Sequence, residues 1–161
     1  MIQRVQTLFL LLVIIAGIVL MFLPLAVYYS EMGYYLKFFI YGMKNLAHDP
    51  FGDEIPKLFS LFFGLPLLLV QVIIILLAGF TIFKYKRRPM QLRLNQLNIF
   101  LHVILVGGIF YFSTLIEAKV AAAPVYGVGV VFPLVSIVAL FLSSNFIRKD
   151  ERLVRSADRL R

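Results

Sequence analysis

The chain contains no cysteine and no tryptophan, and acids are scarce: Asp and Glu total 8 against 16 Lys and Arg. Without a thiol there is no disulfide framework, no thiolate metal site and no catalytic cysteine, and the redox compartment leaves no mark. Charge of either sign is thin. It makes up 15% of the 161 residues, where a soluble domain carries about 25%. Hydrophobic residues make up 61%, too many for a water-soluble core of this length to enclose. The sequence reads as an integral membrane protein with the bilayer as its solvent.

Crossing ~30 Å of hydrocarbon takes about 20 apolar residues. Four segments qualify: 7–29, 58–83, 91–116 (its uncharged part being 97–116) and 124–147, and those uncharged parts hold no Asp, Glu, Lys or Arg. The expected fold class is therefore an all-α membrane protein, a four-transmembrane-helix bundle forming a single domain over 1–161. An outer loop over 30–57 and a cytoplasmic tail over 148–161 complete it. The first apolar run exceeds the 7–15 residues of a signal peptide. Arg4 is a weak basic start and Leu25-Ala26-Val27 lacks a small-x-small cleavage pattern, so the run reads as an uncleaved anchor.

Lys and Arg counts set orientation. Lys84, Lys86, Arg87, Arg88 and Arg93 join spans two and three without an acid, and Arg148, Lys149, Arg152, Arg155, Arg159 and Arg161 follow span four. The opposite loops are mixed: Lys37, Lys44 and Lys57 face Glu31, Asp49, Asp53 and Glu54, and the short turn has Glu117 and Lys119. Both termini are thus expected in the cytoplasm. The net charge of +8 is expected to hold anionic headgroups at that face rather than nucleic acid.

In the outer loop, residues 34–42 (YYLKFFIYG) read either as a strand in a hairpin or as an interfacial segment with tyrosine rings at headgroup level. Residues 48–56 (HDPFGDEIP) are a turn-rich loop. Its His48, Asp49, Asp53 and Glu54 lack the spacing of a calcium loop and read as solvated acids rather than a metal site.

An ionisable residue inside a span is a functional candidate by default, and His102 is the only one. Gln91, Asn95, Asn98 and His102 share one helical face at spacings of four, three and four, a polar stripe running from the cytoplasmic lead-in into the bilayer. A proton relay would need further titratable groups, so interhelical hydrogen bonding or a partner-binding seam is favoured. Ser143, Ser144 and Asn145 lie at the depth to satisfy the stripe, and Gln71 in span two also needs a buried partner. Pro24, Pro66 and Pro133 fall in the outer halves of three spans and are expected to kink them.

The tail RKDERLVRSADRLR reads as a helix continuing span four. Leu153, Val154, Ala157 and Leu160 recur at helical spacing, and Asp150 and Glu151 are expected to pair with arginines three or four residues on. It is expected to lie against headgroups, or to dock a partner. The residues expected to carry interactions are Gln91, Arg93, Asn95, Asn98, His102, Arg148, Lys149, Arg152, Arg155 and Arg159.

MIQRVQTL at 1–8, QLRLNQLN at 91–98 and the tail at 148–161 together resemble a family of small four-helix membrane proteins of Bacteroidota, known only as a domain of unknown function. The resemblance spans the chain and implies a bacterial inner membrane, with the cytoplasmic elements as the characteristic parts. It implies no activity. The favoured expectation is a non-enzymatic accessory or assembly subunit of a larger membrane complex, with no cofactor. A small transporter or lipid- or solute-binding protein comes second. A membrane enzyme comes third, because no activated nucleophile or metal set is in view.

Overall fold

The computed structural model describes residues 2–29, 35–45, 59, 63–84 and 87–158, with side chains described between 5 and 152 among these, Asn45 excepted. Four long helices run α1 (Ile2–Leu20), α2 (Leu65–Phe83), α3 (Arg88–Val120) and α4 (Val131–Asp158). Strands β1 (Ala26–Tyr29), β2 (Tyr35–Phe39) and β3 (Gly42–Asn45) follow α1, and β4 (Pro124–Tyr126) precedes a 3₁₀ turn (Val128–Val130) that leads into α4. Each helix packs on two others in the order α1–α2–α3–α4 and back to α1, a closed ring typical of antiparallel bundles.

The first apolar run is a helix followed by a strand, rather than one helix over 7–29. The helix ends at Leu20, and its last turns tighten through Met21 N→Ile18 O, Phe22 N→Val19 O and Leu23 N→Leu20 O bonds. Pro24 lacks a donor and pushes the preceding residue out of the helical region. Ala26-Val27-Tyr28-Tyr29 is then β-branched and aromatic and enters a sheet. Among the described residues three helices are long and apolar enough to cross a membrane by length and composition: Leu65–Phe83, Arg88–Val120 and Val128–Arg152. The described apolar part of α1, Val5–Leu20, is shorter, about 24 Å at 1.5 Å per residue.

The fold is mostly helical but not all-α. The antiparallel sheet has the order β3-β2-β1-β4. Of the strand expected over 34–42, residues 35–39 form β2; the chain then turns at 40–41 and pairs back as β3, a hairpin closed by the Phe39–Gly42 pair. Unforeseen were its two further strands, taken from the ends of expected spans one and four. Ala26 stands opposite Phe38 on one side and Tyr126 on the other. Burial alternates along β1 and β2, with Ala26, Tyr28, Leu36 and Phe38 inside. That face closes one end of the bundle against Leu20, Leu67, Ile109 and Ile116. A second apolar cluster (Leu10, Val13, Ala78, Ala139, Leu140) fills the other half.

None of the three prolines stands inside a helix where it could kink it. Pro24 lies beyond α1, Pro66 is in the first positions of α2, and Pro133 is the third residue of α4. In a first turn the N–H has no partner within the helix, so proline there removes nothing. Gly127 and Gly129 allow the α4 entrance to lie on Pro24: a Cβ at either would come within 2.6 Å of the Pro24 carbonyl oxygen.

Candidate functional site: a polar seam inside the bundle

Along α3 the buried residues are Gln91, Asn95, Asn98, His102, Leu105, Ile109, Ser113 and Ile116, one face at spacings of three or four. The half toward the sheet is mainly apolar and packs in its cluster. The half toward the basic end is amide and imidazole. Buried polar groups need partners, and each of these side chains reaches one.

Gln91 Nε2 donates to the Thr81 carbonyl near the end of α2 at 3.1 Å. Asn95 Nδ2 lies 3.2 and 3.3 Å from the hydroxyls of Ser143 and Ser144 on α4, and Ser144 in turn donates to the Leu140 carbonyl. Asn98 Nδ2 donates to the Ile74 carbonyl on α2 at 3.2 Å. His102 departs from this pattern. Its Nδ1 lies 2.9 Å from the Asn98 carbonyl of its own helix, so Nδ1 carries the proton, because a carbonyl only accepts. Asn145, expected at the same depth, is exposed.

Gln71 closes a different gap. The last four carbonyls of a helix have no partner within it. In α1 those of Ile18, Val19 and Leu20 are taken by Met21, Phe22 and Leu23. The Gly17 carbonyl receives Gln71 Nε2 from α2 at 3.1 Å. Gln71 is therefore a capping group supplied from a neighbouring helix, and Gln91 acts similarly on α2, whose Thr81 carbonyl also accepts from Lys84 N. The oxygens of Gln71, Gln91, Asn95 and Asn98 accept no hydrogen bond among the described residues, so all four amides work as donors.

At the sheet end, the Tyr28 hydroxyl donates to the Ser113 carbonyl at 3.2 Å, joining β1 to α3. Burial raises the Tyr28 pKa above its ordinary value. At the opposite end, the Arg88 guanidinium stands 2.8 Å from Asp150 Oδ2, a charge contact that ties the start of α3 to α4. Asp150 was expected to pair along its own helix, but Leu153 and Val154 occupy the positions three and four residues on.

The remaining candidates do not join the seam. Arg93, Arg148, Lys149 and Arg152 are exposed. The side chain of Arg155, and Arg159 entirely, lie outside the described residues, as do His48, Asp49, Asp53 and Glu54. Among the described residues no group of three or more His, Cys, Asp or Glu is placed to hold a metal. The seam's chemistry is thus hydrogen-bond donation between helices. Thr81 and Gly17 had no sequence signal as partners, because what matters in each is a main-chain carbonyl.

Comparison with curated proteins gives no match, and neither does comparison with solved structures. A family model described as a domain of unknown function, DUF4293, matches residues 2–160, and the chain belongs to that family.

Proposed function

We propose that the protein is a multi-pass protein of a bacterial inner membrane, with both termini in the cytoplasm. In this reading it serves as a non-enzymatic accessory or assembly subunit of a larger membrane complex. Membrane placement is supported by an exposed row on α3: Leu97, Phe100, Ile104 and Tyr111 follow Arg93 on one face. From Arg93 to Tyr111 the helix rises about 27 Å, close to the ~30 Å hydrocarbon thickness. Orientation is supported by the basic residues at the end of the bundle away from the sheet.

The observation that carries the accessory role is the commitment of the interior polar groups. Gln71, Gln91, Asn95 and Asn98 each donate to a neighbouring helix, so they hold the bundle together rather than line a route through it. Recognition then falls to the outer faces and to the charged end of α4, where Arg148, Lys149 and Arg152 are exposed. This favours a subunit over a transporter, whose site forms around interrupted helices near the midplane.

The test is to tag the chain at native level, solubilise its membrane gently and identify what co-purifies. A stoichiometric set of larger membrane proteins, released when residues 151–161 are deleted while the chain still inserts, is the expected result. Recovery of the chain alone, under conditions that keep other complexes intact, would overturn the accessory role.

A further inference from the structure

At the start of α3 an open groove of about 600 Å³ is lined by Arg87, Pro89, Met90, Arg93 and Leu94. We propose that it binds one anionic glycerophospholipid, with the headgroup phosphate between Arg87 and Arg93 and an acyl chain along α3. The proposal rests on the membrane placement above and not on the accessory role.

The three arginines here have different duties. Arg88 turns inward to Asp150 and is only 23% exposed. Arg87 and Arg93 are exposed, and neither has an ion-pair partner among the described residues. The sequence from 55 to 116 holds no Asp or Glu, so no nearby acid on this stretch competes for them. Two guanidiniums beside one groove suit a phosphate, which accepts forked hydrogen bonds from arginine. They repel the ammonium of a zwitterionic headgroup.

What selects a lipid over a free anion is the surface that continues from the groove. Arg93, Leu97, Phe100 and Ile104 follow one another at spacings of four, three and four and share one face. Leu97 is 48% exposed, Phe100 59% and Ile104 44%. A phosphate at Arg93 would therefore have its glycerol at Leu97 and its acyl chain against Phe100 and Ile104. Pro89 and Met90 form the apolar floor beneath the headgroup. Charge then gives way to hydrocarbon within one helical turn, in the order a phospholipid presents them.

The experiment uses the full chain in neutral detergent, titrated with phosphatidylglycerol or phosphatidylcholine and read by native mass spectrometry. Phosphatidylglycerol is expected to be retained in preference. The double variant Arg87→Gln/Arg93→Gln should weaken that retention about tenfold or more, from the loss of two basic contacts. The control Lys37→Gln/Lys44→Gln removes the same charge from β2 and β3 at the sheet end and should leave retention unchanged. Equal loss in both double variants would overturn the site in favour of general charge attraction. Equal retention of the two lipids, or displacement of phosphatidylglycerol by inorganic phosphate alone, would also overturn it. Release of the chain from native membranes by alkaline carbonate would refute the membrane placement itself, independently of any lipid preference.

Discussion

Gln71 and Gly17 form a single device: the Gln71 amide reaches the Gly17 carbonyl at 3.1 Å only because residue 17 has no side chain. A Cβ there would lie 2.5 Å from Gln71 Nε2 and 3.0 Å from Ile75. The glycine admits the amide, and the amide satisfies the last free carbonyl of α1.

Replacing either half should therefore loosen the α1–α2 contact. Gly17→Leu overfills it and should destabilise the bundle by about 1–3 kcal/mol. Gln71→Ala strands a buried carbonyl at a similar cost of about 1–3 kcal/mol. Thermal unfolding in detergent reads both. A Gly17→Leu variant that melts with the native chain would show that the helices do not approach here.

Asn95 spans α3 and α4 through Ser143 and Ser144. A double-mutant cycle on Asn95→Ala and Ser143→Ala should give a small coupling, about 0.6 kcal/mol as for other buried helix pairs in membranes. Ser144 remains to accept in the single variant, so the full effect needs Ser143 and Ser144 changed together. Strict additivity between Asn95→Ala and that serine pair would remove the bond.

His102 spends its proton on its own helix, and no described carboxylate accompanies it. His102→Gln should insert, fold and co-purify with any partner as the native chain does. Loss of partner or activity with unchanged expression would make the imidazole more than a packed side chain.

The Arg88–Asp150 contact is partly exposed, at 23% and 15%, and is worth at most about 1 kcal/mol after screening. Asp150→Asn should lower the melting temperature more at 20 mM than at 500 mM salt, roughly the range over which the Debye length shrinks from about 20 Å to about 4 Å. A salt-independent loss would point to packing rather than charge.

Much of this was legible in the sequence, for reasons that also explain the failures. The stripe from Gln91 to His102 was visible because helix periodicity places those four residues on one face whatever surrounds them. Ser143 and Ser144 could be matched to it by depth alone. The strand Ala26–Tyr29 was hidden because hydropathy does not distinguish an apolar helix from an apolar strand. Pro24, which divides them, was expected to mark a bend when it marks an end. Gly17 could not be found at all. Its role depends on a side chain 54 residues away, and glycine in an apolar run carries no pattern. Asp150 has Leu153 and Val154 three and four residues on, where no cation stands, so its partner comes from α3 as Arg88, which periodicity along α4 cannot reveal.

The pairing of β1 with β4 has a consequence for how the chain is made. β1 lies between β2, its near neighbour in sequence, and β4, which is not made until three helices have been completed. Until Pro124–Tyr126 arrives, one side of β1 presents bare N–H and C=O groups, the kind of edge that recruits other chains. A nascent or truncated polypeptide ending before Pro124 therefore leaves that side of β1 open to edge-to-edge self-association, and synthesis of the α4 entrance covers it, passing the edge to β4, a three-residue strand whose Pro124 carries no N–H.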